Sequence, residues 1–321
     1  MAGLPLALFY PVKTLAAPPV LARIAARGLG FDVSNPAELA LVPAGCPVVL
    51  DGPLALAGAA PEALARVDAL FVGSLRQLDQ ALARAPRPAL GLRLSSTDLL
   101  GERGLERSRF GLGLDEVRIA AARVRAAGAR ITWLHAHHGS DVMTGDDYRD
   151  LLRRLVAVDA EHGLGVRAFD IGGGQGFAHP TPAALAALLT ELCAELPPGA
   201  RLAAEPGGAQ LAGCLGFAAR VVDLVIRDHV DVVLDANLAG ALAWSDPALL
   251  APARPAGAPS TVRVLGATCS EHDLAGVFPF ADDGPALELG APLLFEDVSP
   301  YAIGRGFGFN GIPAPTLWTM E

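Results

Sequence analysis

Eight short apolar runs recur through the first two-thirds of the chain, separated by stretches of helical length. The runs are "LALFYPV", "LGFDVS", "PVVLD", "ALFVGS", "ALGLRLS", "RITWLHAH", "VRAFDIGG" and "RLAAEPGG". Between them, "PPVLARIAARG", "SLRQLDQALARA", "DEVRIAAARVRAAG", "DDYRDLLRRLVAVDAEHG" and "PAALAALLTELCAEL" carry a helical apolar period. Eight strands with intervening crossovers predict a (β/α)8 barrel over residues 1–210. An open doubly wound sheet competes, but no GxGxxG follows the first run and eight is a large strand count for it.

The residues at the run ends sharpen this expectation. Lys13, Asp32, Asp51, Arg93, His137, the glycines 172–174 and Glu205 all sit at C-terminal ends. A parallel barrel opens those ends onto one face, where barrel enzymes place their active sites. Seven polar ends on one face predict a site there.

After about residue 210 the pattern changes. "GFAARVVDLVIRDHVDVVLDANLAGAL", "TVRVLGATCS", "PALELGAPLLFEDVS" and "TLW" are β-branched or alternating runs broken by Gly/Pro turns. They predict a separate antiparallel β domain over 211–321, with "APARPAGAPS" (251–260) as a mobile loop.

Composition bounds the partners. The 321 residues carry a net charge of -9 and form no basic stripe, which argues against nucleic acid. No apolar stretch reaches the length of a membrane span. Cys46, Cys193, Cys214 and Cys269 show no CxxC spacing, which predicts neither a zinc site nor a disulfide framework and points to a reducing cytoplasm.

Position 13 is unusual. Of 25 Lys and Arg residues only Lys13 is lysine. GC-rich coding accounts for the missing lysines without accounting for this one. Arginine serves any solvated positive charge but does not deprotonate, so a retained lysine suits work that needs a neutral amine, such as a Schiff base.

Four further stretches carry chemistry. "FDIGGGQG" places glycines after a strand, where backbone N–H groups can approach an anion or simply make a tight turn. In "LHAHHGS", His135 and His137 share one strand face and His138 takes the other. An H-x-H pair can ligate a metal, with Asp51, Asp170 and Asp235 as candidate carboxylates. A histidine can also pack in the core or stack flat on an aromatic cofactor. Glu205 of "AAEPGG" is costly at a barrel mouth unless a cation faces it, and either an arginine or a pyridinium nitrogen would serve. Cys269 in "GATCSEHD" is a structural cysteine or a proton donor.

These stretches, in order and with "FYPVKT", "GFDVSNPAEL", "LGLRLS", "SRFGL", "VLDAN", "FEDVSPYA" and "FNGIPAPTLW", resemble the ornithine/diaminopimelate/arginine decarboxylase family of pyridoxal-phosphate (PLP) enzymes, fold type III. The last third looks most like the carboxynorspermidine decarboxylase branch. The resemblance implies a TIM barrel followed by an alanine-racemase-like antiparallel β domain. It implies a PLP-dependent amino-acid decarboxylase acting on a polyamine-type or specialised-metabolite precursor. Lys13 would form the internal aldimine, His137 would stack on the ring and Glu205 would pair with the pyridine nitrogen. Asp32 and Arg93 would line the cofactor face. Ser140, Gly173, Gly174, Gly207, Gly208 and Tyr301 would hold the phosphate. Cys269 would return the proton after CO2 leaves, across a head-to-tail homodimer with shared sites, while Asp235 and Asp273 would read the distal substrate.

Departures from the family pattern shape the expectation. Only 12 residues precede Lys13, an N-terminally shortened form that predicts a β domain one strand short or completed from another source. The family's EPGR is EPGG, and its Cys-Asp-Ser turn is Cys-Ser-Glu. A PLP-dependent racemase or epimerase, and a non-catalytic regulatory homologue, are the competing functions. A metal-dependent hydrolase built on His135 and His137 gives Lys13 no role, and the expected metal set is none.

Overall fold

Parallel strands covered by helices on their outer side are buried on both faces, so they read as continuous apolar runs. All eight predicted runs form strands of this kind. The structure, a computed structural model, describes residues 3–85, 87–103, 107–139, 143–178, 181–306 and 308–319. It divides into two compact units, Met1–Gln210 and Leu211–Glu321.

In the first unit the strands are β1 (Leu6–Pro11), β2 (Gly30–Val33), β3 (Val48–Asp51), β4 (Ala69–Val72), β5 (Ala89–Arg93), β6 (Ile131–His135), β7 (Ala168–Asp170) and β8 (Arg201–Ala204). Each pairs in parallel with the next, and β8 returns to β1 with Leu6 opposite Leu202, closing the barrel. Helices begin soon after several of the strands because polar side chains cap them. Asn35 accepts from the N–H groups of Ala37 and Glu38, and Ser74 accepts from Gln77 N–H. Thr144 and Asp147 form a reciprocal capping box at the head of Gly145–His162. That helix buries Tyr148, Leu151, Leu152, Leu155 and Val158 along one face.

An apolar plug fills the barrel. Phe9, Val49, Ala69, Phe71, Trp133, Ala168 and Ala203 pack together on the axis. Trp133 meets Phe9 and Phe71 edge-on, at centroid distances of 6.2 and 5.8 Å. Two strand glycines make room for these rings. A Cβ on Gly30 would lie 2.4 Å from the Phe9 ring, and one on Gly91 would lie 2.3 Å from the Phe71 ring.

The second unit is a six-stranded sheet of β9 (Phe217–Ile226), β10 (Val230–Leu234), β11 (Ala248–Leu249), β12 (Thr261–Leu265), β13 (Leu274–Pro279) and β14 (Pro292–Glu296). Its order is β11-β14-β9-β10-β12-β13. The expectation of a purely antiparallel domain is corrected here, because β10 and β12 pair in parallel, Val230 opposite Val262. The chain leaves β10 through a helical turn, Leu238–Ala241, before it returns, which gives the crossover that a parallel pair requires. The loop 251–260 is anchored, contrary to expectation. Ala253 N–H donates to Pro285 O at 2.8 Å, the Arg254 guanidinium donates to Ala258 O, and Ala258 is buried.

Candidate active site

Inward side chains alternate along a strand, so the residue two places beyond a plug residue faces the same axis one layer higher. From Val49, Trp133, Ala168 and Ala203 that step reaches Asp51, His135, Asp170 and Glu205. From the glycines Gly30 and Gly91 it reaches Asp32 and Arg93. The layer above the plug is therefore polar and charged, at the C-terminal ends of the strands.

Lys13 joins this layer from a 3₁₀ turn, Val12–Thr14, that follows β1. Its Nζ donates to Asp32 Oδ2 at 2.7 Å. Asp32 is buried, whereas the Lys13 side chain is 48% exposed, so the ammonium is set deep among carboxylates yet reachable through the open mouth. Burial alone would favour the neutral amine. The carboxylates of Asp32, Glu205 and Asp51 outweigh it and hold Lys13 above the ordinary lysine range.

Arg93 pairs with Asp51, and its guanidinium lies over the Phe110 ring at 4.7 Å, which brings "LGLRLS" and "SRFGL" together. His137 is half-buried. Its Nδ1 accepts from Gly173 N–H at 3.2 Å, which leaves the proton on Nε2 and fixes the ring. Tyr148 OH donates to Gly173 O at 2.9 Å and the Gln175 amide donates to Gly172 O at 2.8 Å, so both brace the glycine turn. Neither was picked out from the sequence, although Gln175 directly follows the three glycines.

His135, Asp170 and Glu205 place one polar atom each within 4.8 Å of one another, all buried. Burial, with Asp32 and Asp51 nearby, pushes Asp170 up to about 7. Burial also raises Glu205 well above the carboxylate range, helped by Asp32 and Asp170. Both histidines of the H-x-H pair are held well below the usual imidazole value by burial and by Arg93 and Lys13. His137 Nδ1 is taken by Gly173 N–H, and the acids cluster around His135 rather than around the H-x-H pair.

The predicted phosphate ligands are spread unevenly. Ser140 lies outside the described residues. Gly173 N–H serves His137, and Gly207 N–H donates to Glu205 O at 2.7 Å. Gly174 has a left-handed φ of 92°, and Gly208 follows Gly207 at the start of the turn Gly207–Gln210, which packs beside the turn Gln175–Ala178.

Tyr301 belongs to the second unit, where it packs edge-on against Trp244 at 5.9 Å. In the same unit the backbone N–H of exposed Cys269 donates to Asn310 Oδ1 at 3.0 Å, joining "GATCSEHD" to "FNGIPAPTLW". Asp235 is exposed and accepts from Arg220 N–H at 2.7 Å. Asp273 is buried with both oxygens engaged, accepting from Ala239 N–H and Thr268 N–H at 3.0 Å each. That engagement gives it a turn-holding role that its sequence context did not signal.

The first unit is thus a parallel barrel whose mouth combines one lysine, clustered acids, a fixed imidazole and a glycine turn, joined in one chain to a mixed β sheet. The chain belongs to the pyridoxal-dependent decarboxylases, whose pyridoxal binding domain matches residues 2–212. Diaminopimelate decarboxylase of Deinococcus radiodurans is 27% identical over 335 residues, covering 97% of this chain and 83% of that protein. In fold, lysine/ornithine decarboxylase of Vibrio vulnificus, solved with cadaverine, matches with a TM-score of 0.77 at 22% identity, covering 97% of this chain and 86% of the other. Carboxynorspermidine decarboxylase of Campylobacter jejuni, solved with norspermidine, matches with a TM-score of 0.72 at 20% identity, covering 95% and 84%.

The cofactor of this family is pyridoxal phosphate, and the mouth fits it. Lys13 is the only lysine available to it. Glu205 Oε1 is buried without a hydrogen-bond partner, a position that a cationic ring nitrogen would satisfy. Among the described residues no helix is long and apolar enough to cross a membrane.

Proposed function

We propose that the protein decarboxylates an α-amino acid whose far end carries an amine or a larger polar group, with pyridoxal phosphate attached at Lys13. The observation that carries this reading is that the single lysine and a buried, unpartnered carboxylate share one barrel mouth. When bound, the cofactor supplies an electron sink for the charge left as CO2 departs.

The protein's own residues do the rest. Asp32 holds the Lys13 ammonium and is the nearest base for its proton. Glu205 pairs with the ring nitrogen and keeps it cationic, which favours decarboxylation over racemisation. His137, fixed by Gly173, offers a flat ring face for stacking. Arg93 is turned toward Asp51 and lines the cofactor face beside the lysine. Gly174, Gly208, Ser140 and Tyr301 bind phosphate, with Gly173 and Gly207 shaping the turns. Cys269 Sγ carries the proton returned to the product, delivered across a head-to-tail homodimer in the cytoplasm. Asp235, which is exposed, reads the distal end of the substrate, whereas Asp273, expected to share that role, has both oxygens committed to its own turn.

Purified protein with pyridoxal phosphate should show a near-ultraviolet or visible cofactor band and release CO2 from a diaminopimelate- or polyamine-type amino acid. Lys13→Ala should abolish both. Protein that never takes up the cofactor would sink the proposal, and α-proton exchange without CO2 would replace it with a racemase.

A further inference from the structure

His135 is one of the most enclosed polar residues in the barrel and has no part in the function described so far. It is fully buried, and neither ring nitrogen has a hydrogen-bond partner. Phe71 stacks on it nearly flat, at 4.9 Å and 18°, so the ring plane is set. Each ring nitrogen has one acid oxygen near it. Nδ1 lies 3.9 Å from Asp51 Oδ2, and Nε2 lies 3.8 Å from Glu205 Oε1. Both gaps are less than about 1 Å beyond hydrogen-bond length.

The two acids are not equivalent. Asp51 is anchored as an anion by Arg93, so it can only accept, and it favours a proton on Nδ1. Nε2 then presents a lone pair to Glu205 Oε1, the oxygen that lacks a partner. Two facing acceptors need one proton between them. The other groups around the ring are Lys13 after β1, Asp32 on β2, Arg93 on β5, His137 and His138 beyond β6, and Asp170 on β7.

We propose that His135 is a positioning residue that controls the proton on Glu205, through a chain running Arg93–Asp51–His135–Glu205 across the barrel mouth. Without cofactor, Glu205 is a neutral acid whose Oε1 faces Nε2 of the Nδ1–H tautomer across 3.8 Å, a gap that closes as the proton passes. When a cationic ring nitrogen faces the Glu205 carboxyl group, the Oε1–H bond breaks and an Nε2–H bond forms. The carboxylate then pairs with the ring nitrogen, and the imidazolium, opposed by burial, Arg93 and Lys13, is sustained only by the two carboxylates it faces, Asp51 and Glu205. One proton moves, and none enters or leaves. This inference rests on the reading that Glu205 faces the cofactor nitrogen.

The test is ¹⁵N NMR of the histidine rings in the full chain, with and without pyridoxal phosphate, combined with cofactor titration of His135→Gln. Glutamine keeps a polar partner for Glu205 but cannot take the proton. The expected cofactor-free spectrum shows His135 protonated at Nδ1 only, and the loaded spectrum shows both nitrogens protonated. The cofactor Kd of His135→Gln at neutral pH should rise at least tenfold, with a flatter pH dependence than wild type. An Nε2–H tautomer without cofactor, an unprotonated Nε2 with it, or a native Kd and pH profile in the variant would each overturn the proposal. If the variant does not fold, the wild-type spectra decide alone. Failure of wild type to bind the cofactor counts against the proposed function, whereas the cofactor-free tautomer bears on His135 alone.

Discussion

Trp133 and His135, Val49 and Asp51, Ala203 and Glu205 stand two residues apart at the C-terminal ends of three strands, Glu205 one residue past its own, and each pair faces the same axis. The lower members interlock, with rings edge to edge and two glycines yielding space. The upper members are hardly less buried, yet Asp32, His135, Asp170 and Glu205 each keep at least one polar atom without a partner. Buried polar groups are normally satisfied, so the two layers serve different ends. The plug maximises packing, and the mouth keeps polar groups in reserve for another molecule. One pleat separates stability from chemistry.

The plug is where a change costs most. Trp133→Ala should destabilise the protein by about 3–5 kcal/mol, measured by denaturant unfolding. A loss below about 1 kcal/mol would mean that the rings are not a shared core.

The mouth should respond to pH instead. Burial, with Asp32 and Asp51 nearby, pushes Asp170 up to about 7 in the folded protein, against 3.8 for the ordinary carboxyl group. Between those values the folded state alone keeps the proton, so stability falls as pH rises from about 4 to 7. In cofactor-free protein, Asp170→Asn should gain on wild type across that window, and parallel pH profiles would refute the assignment.

Glu205→Gln sharpens the contrast further. CO2 release should drop about 100-fold, equivalent to about 2.7 kcal/mol, while the cofactor-free melting midpoint should not fall. A large loss of stability would place Glu205 with the plug after all.

Much of this was legible in the sequence. Short apolar runs ending in polar residues located all eight barrel strands, and the five long helices follow the apolar period to within about three residues. Short helices such as Pro61–Leu64 and Ser96–Leu100 were not, because one turn carries too little period to register. The site residues stood out as types, since a lone lysine and a strand-end glutamate are unusual. Their pairings did not. Nothing local says that Arg93 meets Asp51 across two strands, or that Phe71 orients His135. The parallel pairing of β10 with β12 was hidden for the same reason, being a property of how distant segments meet. Gly30 and Gly91 read as ordinary weak points until the neighbouring rings that fill their space are seen.

Lys13, half-exposed in a ring of acids, has a practical consequence. The chain has one ε-amine, so a reagent that acylates lysine side chains has a single side-chain target, which lies in the mouth and is told apart from the chain's α-amine at the peptide level. Mass spectrometry of the modified protein becomes a direct titration of working sites. The pairing with Asp32 should make the unloaded amine a slow nucleophile at neutral pH, and the labelling rate would therefore report how firmly that carboxylate grips its partner.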